Sequence, residues 1–209
     1  MYDVNTNQFL NSMNTLLQTC KGKKQSLDDN SLQVLVDDYI HRWGDSYDIE
    51  DRWWGEENLT WDNALERAWK SRFENGKMHG HQCRVAGKLP EGLQTALSDR
   101  KQPEDFYDFQ ILYCWVKSVT GRVSGLGATT AYDVARRLSV KLRLEPVNVY
   151  LHAGSAIGAR KFGIEGESAP LSKFPKEIQS LGATHAENFL CIYKDSIESR
   201  RVMTAWNRS

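Results

Sequence analysis

The residues with the clearest chemical potential form a turn, here called the glycine turn, Val123-Ser124-Gly125-Leu126-Gly127-Ala128-Thr129-Thr130-Ala131, between two apolar helical runs. Two glycines on either side of one aliphatic residue make a tight turn, because glycine adopts positive φ and allows another backbone to come close. The helix that follows presents backbone N–H groups that have no partner inside the helix, and such groups bind phosphate. The pattern predicts a contact with a nucleic-acid backbone, although a glycine cap in a purely structural hairpin has the same sequence.

The charges of the chain are unevenly distributed although its net charge is zero. Residues 28–66 contain twelve acidic and two basic side chains, a net charge of −10. Residues 117–161, which include the glycine turn, contain eight basic and two acidic side chains, a net charge of +6. This asymmetry favours an anionic partner at one face. The alternative is two solvated faces whose charges cancel.

Two carboxylates are candidates for catalysis. Asp133 lies four residues beyond Thr129, one turn further along the same helix face. An acidic side chain beside a phosphate-binding helix start repels DNA, so a function is expected for it: it would orient a water or stabilise positive charge on a sugar. The alternative is a favourable interaction with the helix dipole. Asp195 follows Lys194 near the end of the last apolar stripe. It becomes a second candidate if that helix packs on the hairpin, and is otherwise half of a weak surface pair.

A second polar group surrounds two histidines in a glycine-flanked segment. His79 and His81, with Gln82, are placed to touch DNA or to bind a metal. No cysteine or acidic residue close to them in the sequence completes a zinc site, so no metal and no other cofactor is expected. A loop that contacts phosphate beside Lys77 and Arg84 is preferred over a metal site, and a structured loop without function is preferred over both.

Residues 117–138 resemble a helix-hairpin-helix element. The features that carry the resemblance are Val123, Gly125, Leu126, Gly127, Thr130 and Ala131. Such an element reads the DNA backbone rather than the bases, so it positions DNA without specifying its sequence. Over a longer stretch the chain resembles the helix-hairpin-helix DNA glycosylases, in which a Gly/Pro-rich turn after the hairpin leads to a catalytic aspartate at a helix start.

The chain departs from that superfamily at two positions. Pro146-Val147 lies at a fitting distance after the hairpin, but the next residue is Asn148, and an amide cannot act as a carboxylate does. Thr129 stands where the bifunctional members carry a lysine nucleophile, which argues against a Schiff-base mechanism.

His152 lies near the place where the resemblance to these glycosylases implies a catalytic carboxylate. It is predicted to be a general base or a contact to a flipped base, with a helix cap or a core histidine as the alternatives.

A weaker resemblance covers residues 60–195. The segments Lys77–Gln82, Val149–Gly154 and Phe189–Asp195 resemble a bacterial family of unassigned function, which implies a bacterial protein and no particular chemistry.

Arg160, two turns beyond His152, is placed to reach a phosphate. The complete set of predicted DNA contacts is Arg122, Gly125, Gly127, Ala128, Thr129, Thr130, Arg160, Lys161, His79, His81 and Gln82.

Three functional hypotheses follow. The first is a monofunctional DNA glycosylase-like enzyme that flips and excises a damaged base, or a modified base of phage DNA in antiviral defence. The second is a non-catalytic DNA-binding or adaptor protein with the same hairpin, which Asn148 favours. The third is a histidine-dependent nuclease that uses His79, His81 and His152.

The elements that must position these residues are predicted to be helical. Apolar stripes start at Phe9 and at Leu32, a polar linker covers 20–30 and an acidic loop covers 45–58. Thr60 is the predicted N-cap of a helix that Asn75-Gly76 ends. Thr184 with Glu187 matches a capping box before a last long helix. The other predicted helices cover 104–118, 129–142 and about 151–162, and Gly154 with Gly158 predict close packing of the last of these against a neighbour.

The predicted fold class is all-α: a multi-helix domain that contains one helix-hairpin-helix DNA-binding element and no strand pair. Residues 1–58 are predicted to form an N-terminal helical layer and 59–209 the hairpin domain, or both to form one continuous domain. The four cysteines lack metal-ligand spacing. The sequence contains no signal-like N-terminus and no apolar run of about 20 residues, so a cytoplasmic protein without a membrane partner is expected.

Overall fold

A computed structural model of the chain describes residues 32–99 and 101–198. These residues are mostly helical, as predicted. They group into two compact units: a terminal unit, residues 32–43 with 147–198, and a central unit, residues 44–146. The first apolar stripe and the polar linker over 20–30 lie outside the described residues. Among the residues that are described, no helix is long and apolar enough to cross a membrane.

The helices of the central unit follow one another with short connections. Helix α1 begins in the terminal unit and ends in the central one. The elements in chain order are α1 Leu32–Trp54, α2 Trp61–Lys70, a 3-10 helix Gly80–Lys88, α3 Leu89–Asp99, a 3-10 turn Pro103–Asp105, α4 Phe109–Gly121 and α5 Ala128–Leu142.

The predicted acidic loop over 45–58 is wrong, because α1 continues through it to Trp54. Gly44 does not end this helix, since a glycine inside a helix costs only about 1 kcal/mol relative to alanine. The acidic side chains stand between positions that are buried, among them Ser46 and Trp54. The segment is therefore an amphipathic helix whose exposed face is acidic.

The predicted start of α2 is confirmed, because the Asn63 N–H donates to the Thr60 hydroxyl at 3.3 Å. The helix ends at Lys70, before the predicted stop at Asn75-Gly76, and Ser71 follows with a left-handed φ of 54°. The next predicted helix, 104–118, starts later than expected. Asp108 caps it through the Ile111 N–H at 2.8 Å, so Pro103 belongs to a separate turn.

The terminal unit contains the strand pair that the sequence analysis did not expect. Strand β1 (Asn148–Tyr150) pairs antiparallel with β2 (Ser168–Pro170), and three residues are too few to show the alternation of a strand. Its helices are α6 Ala153–Arg160, α7 Lys176–Gln179 and α8 Gly182–Ile192, with a 3-10 turn at Leu171–Lys173.

Two further predictions in the terminal unit have opposite outcomes. The capping box at Thr184 and Glu187 is wrong, because α8 begins at Gly182 and both side chains are buried within the helix. The close packing predicted from Gly154 and Gly158 is confirmed. A methyl group on Gly158 would collide with the backbone of Leu190 on α8, so glycine is required there for the two helices to approach.

Candidate functional site

The glycine turn connects α4 to α5 and uses its two glycines differently. Gly125 has a φ of +92°, in the left-handed region that favours glycine. Gly127 is the N-cap residue of α5 and is extended, with φ −132° and ψ −169°. A Cβ atom built on Gly127 would meet no atom of the described residues within 4 Å. The expectation of positive φ therefore holds at Gly125, whereas the backbone conformation of Gly127 does not require glycine.

The start of α5 is open on its outer side. Gly127 and Ala128 are exposed and Thr129 is half-buried. Gly127 supplies no side chain to accept from the first N–H groups of the helix, and the first intrahelical bond runs from the Ala131 N–H to the Gly127 carbonyl at 3.0 Å. Backbone N–H groups, rather than side chains, are the donors that this end of the helix offers to an anion.

Arg122, predicted to contact DNA, is paired inside the central unit. Its two terminal nitrogens donate to the two carboxylate oxygens of Asp99 at 2.9 and 2.5 Å. Asp99 also accepts from the Trp115 indole at 3.1 Å. Arg122 would have to leave this bidentate pair in order to bind a phosphate.

Other basic residues near the glycine turn also have partners within the protein. Arg136 donates to Asp51 at 2.6 Å, and Arg137 is buried. Lys141 donates to the backbone carbonyls of Glu56 and Glu57. The net charge of +6 in residues 117–161 therefore does not correspond to a basic surface of that strength, because acidic side chains of other segments neutralise part of it and backbone carbonyls hold the Lys141 ammonium.

A polar cluster lies against the first turns of α5, within the central unit. Gln82 on the 3-10 helix is completely buried. Its amide nitrogen donates to Asp133 Oδ2 at 2.6 Å, and its amide oxygen accepts from the Thr130 hydroxyl at 3.2 Å. Gln82 and the Thr130 side chain were predicted to contact DNA, but their burial makes them an internal brace between the 3-10 helix and α5.

Both histidines of the predicted loop belong to this cluster. His81 Nδ1 lies 3.5 Å from Asp133 Oδ2, and the His81 side chain keeps 35% of its surface exposed. The His79 ring centroid lies 5.3 Å from that of His81 and 5.3 Å from that of Phe73. One ligand atom from each of His79, His81 and Asp133 falls within 4.8 Å of the other two. His79 Nδ1 is buried and has no hydrogen-bond partner among the described residues.

The electrostatics of the cluster separate its members into charged and neutral groups. Burial tends to raise the pKa of Asp133, but the hydrogen bond and charge of His81, together with the Arg137 cation, outweigh it and hold that pKa below its usual range. Burial first, and then the Arg137 cation, lower the pKa of His79 to about 3. At neutral pH the cluster therefore combines an ionised carboxylate with a neutral imidazole.

Asp133 is the group that local sequence spacing could not connect to the histidines. No third ligand lies near His79 and His81 in the sequence, because the acid that joins them lies more than fifty residues later in the chain. No local sequence signal links the two segments. The connection depends on α5 packing beside the 3-10 helix, which the fold alone establishes.

The remaining predicted site residues lie in the terminal unit. His152 is buried as the N-cap residue of α6, and its Nε2 lies 3.5 Å from Glu187 Oε1. This position fits the core-histidine alternative, since both side chains are enclosed. Arg160 is exposed and Lys161 is half-buried at the end of α6. Asp195 is exposed, 3.7 Å from Lys194 Nζ, in a surface pair of small energetic value.

Glu50 on α1 is a further titratable group of the central unit that the sequence analysis did not single out. Burial raises its pKa to about 7, against the opposing attraction of the Arg137 cation. At pH values between 4.5, its ordinary pKa, and about 7, Glu50 keeps a proton in the folded protein that it has released in the unfolded chain. Stability contributed by this proton is complete below pH 4.5 and is lost as the pH rises through the folded pKa.

We expect Glu50→Gln to raise the free energy of unfolding by about 3 kcal/mol at pH 8, since the pKa of Glu50 is raised from 4.5 to about 7 and one pKa unit corresponds to about 1.4 kcal/mol. The gain should vanish near pH 4, where Glu50 is largely protonated and is therefore neutral, like the glutamine of the variant. Urea unfolding of both proteins over this pH range measures it, with the exposed Glu57→Gln as the control. Parallel pH curves for the wild-type protein and Glu50→Gln would contradict the assignment.

Comparison with known proteins gives no match to this chain: no family model, no curated protein and no solved structure.

Proposed function

We propose that the protein binds the sugar-phosphate backbone of DNA through the glycine turn and the first turn of α5. The observation that supports this most directly is Gly127. Its φ of −132° suits any residue, and a Cβ atom there would meet nothing among the described residues. Neither a positive φ nor close packing requires glycine at this position. An exposed helix start without a side chain is instead what a phosphate needs in order to reach the backbone N–H groups.

A lysine beside the turn supports the same interpretation. The Lys88 Cγ atom lies 3.9 Å from the position of a Cβ on Gly125. Its ammonium group pairs with Glu91 at 3.1 Å, and both side chains are about half exposed. Such a surface pair is worth about 1 kcal/mol or less, so Lys88 can exchange it for a phosphate at little cost.

We expect duplex DNA to bind with little sequence preference and with a moderate dependence on salt. Two to three phosphate contacts would lower the affinity about 10- to 40-fold between about 50 and 200 mM salt. This dependence is weaker than a net charge of +6 suggests, because many of the basic groups have internal partners. Titration of two labelled duplexes of unrelated sequence at several salt concentrations measures both properties. Failure of the folded protein to bind either duplex at low salt would eliminate the proposal.

Base excision is a second candidate, and the state of Asp133 favours it. The Asp133 carboxylate lies one turn inside α5, keeps 11% of its surface exposed and stays ionised while it accepts from Gln82, so its exposed edge could stabilise the positive charge that develops on a sugar as the base leaves. Asn148, in β1, cannot supply that charge. Catalysis of this kind needs an Asp133 carboxylate without a bound metal ion, so we expect base release to persist in a chelator. Because Thr129 stands where a lysine nucleophile would be, we expect no borohydride-trapped adduct.

We expect Asp133→Asn to lower single-turnover base release by two to four orders of magnitude, the usual effect of a positioned acid or base. DNA binding should survive, since backbone N–H groups provide it. The assay is formation of abasic sites on duplexes that carry damaged or phage-type modified bases, and His152→Ala and Asp195→Asn serve as comparison variants. The absence of release by the wild-type protein on every substrate would favour the non-catalytic DNA-binding or adaptor function.

A further inference from the structure

We infer that His79, His81 and Asp133 form a binding site for a divalent transition-metal ion of the zinc class. Ligand atoms bonded to zinc at about 2.1 Å in a tetrahedron lie about 3.4 Å apart. The distance from His81 Nδ1 to Asp133 Oδ2 is 3.5 Å, and the ligand atoms of all three residues lie within 4.8 Å of one another. The first pair already has the required spacing, whereas the widest separation in the set, up to 4.8 Å, would have to shorten for all three atoms to bind one ion.

The donor types select the class of metal. Two imidazole nitrogens and one carboxylate oxygen suit zinc and its first-row neighbours, whereas magnesium and calcium prefer ligands that are all oxygen. Three protein ligands leave a fourth position for water or a phosphate oxygen, as in zinc sites that are open to substrate. The 35% exposure of the His81 side chain gives an ion access to the cluster from solvent.

The surroundings hold these ligands in place. The His79 backbone N–H donates to the Ser71 carbonyl at 2.8 Å, which fixes the start of the 3-10 helix. Gln82 is a positioning residue, because it holds Asp133 Oδ2 at 2.6 Å and is itself held by Thr130. Hydrogen bonds to ligating carboxylates from a second layer of residues are a regular feature of metal sites.

An ion pair between His81 and Asp133 is the competing explanation of the cluster. It accounts for those two side chains, but it leaves the buried His79 Nδ1 without a hydrogen-bond partner in the described part of the chain. A buried ring nitrogen without a hydrogen bond destabilises the fold, because it has lost its contacts with water. Coordination to a metal ion would replace those contacts. An ion bound through His79 Nδ1 would give this nitrogen a partner, and the metal site would then account for all three side chains together.

The test uses the full-length protein after removal of metals with a chelator. Zinc chloride is titrated by calorimetry, and cobalt chloride is titrated with visible absorption as a report on coordination. We expect one ion per chain, a rise in the thermal unfolding midpoint, and no effect of magnesium. His81→Ala and Asp133→Asn should each weaken zinc binding by at least about 100-fold, more than the loss of a second-layer partner usually does. His41→Ala, a histidine exposed on α1, should bind zinc as the wild-type protein does.

Cysteine provides the sharpest control, because Cys83 is exposed two residues after His81. Cys83→Ser should leave zinc affinity unchanged, and the cobalt spectrum should lack a sulfur-to-metal charge-transfer band. Absence of micromolar zinc binding, or affinity that depends on Cys83 and not on His81, would overturn the inference. His81→Ala keeps the test decisive even if Asp133→Asn disturbs the fold, because the His81 ring is partly exposed. The inference does not depend on DNA binding through the glycine turn, so failure of one leaves the other intact. It does compete with the base-excision candidate, because a carboxylate bound to a metal ion does not stabilise charge on a sugar.

Discussion

Gly127→Val is expected to weaken DNA binding about 10- to 100-fold, which corresponds to the loss of one hydrogen bond to a charged group. The γ-carbons of valine would stand over the exposed N–H groups at the start of α5 and keep a phosphate from reaching them. The fold should tolerate the change, since valine favours an extended φ and the space around Gly127 is open. DNA titration and circular dichroism on the same sample measure both effects.

The matched control for this variant is Gly44→Val. A Cβ on Gly44 also meets no described atom within 4 Å, but Gly44 lies inside α1 rather than at a helix start. We expect this variant to bind DNA normally and to retain its helix content. A loss of helix content in Gly127→Val would mean that the turn is a structural element of the core. Unchanged DNA binding in a folded Gly127→Val would remove the glycine turn from the proposed interface.

The position of the glycine turn was predictable because its signals are local. A glycine with positive φ, a glycine at a helix start and an apolar residue between them are adjacent in the sequence, and the structure places them between α4 and α5 as expected. Local signals also gave the Thr60 cap and the close approach at Gly158. What they could not give was the conformation of Gly127, since an extended glycine and a left-handed one have the same sequence.

Charge was a poorer guide than spacing. Counting residues treated Arg122, Arg136 and Arg137 as one basic surface, but each has a different partner brought in from another segment. Asp99 and Asp51 are distant in sequence from the arginines that they neutralise. A net charge computed along the chain becomes a surface potential only after such pairs are removed, and only the fold identifies them.

The histidine cluster was missed for a related reason. His79 and His81 were recognised as a pair, but the third group, Asp133, was assigned separately to the start of α5. Gln82 joins the two segments through Thr130 and Asp133, and a buried glutamine gives no sign of its partners in the sequence. Contacts of this kind depend on helix packing over long sequence separations, which periodicity does not determine.

Arg137→Met is expected to destabilise the protein by about 3–5 kcal/mol, because it removes a buried cation and leaves the ionised Asp133 carboxylate without it. The Arg137 side chain donates to the Ser71 hydroxyl at 2.7 Å and to the Ala68 carbonyl, in the last turn of α2, at 3.2 Å. Its guanidinium lies 5.1 Å from the centre of the Trp54 ring. Its charge also acts on Asp133 and Glu50, so methionine would fill the space without replacing any of these interactions.

The adjacent Arg136→Met is the matched control. Arg136 donates to Asp51 at 2.6 Å, but the Asp51 side chain keeps 40% of its surface exposed, so water can replace the lost contact. We expect this variant to lose about 1 kcal/mol or less. Urea unfolding of both variants at pH 7 gives the comparison. Equal losses would show that the charge of Arg137 adds little stability and that its aliphatic part, whose packing methionine preserves, makes the main contribution. A loss confined to Arg137 would show that the polar cluster, including the proposed metal ligand Asp133, depends on a cation buried behind it.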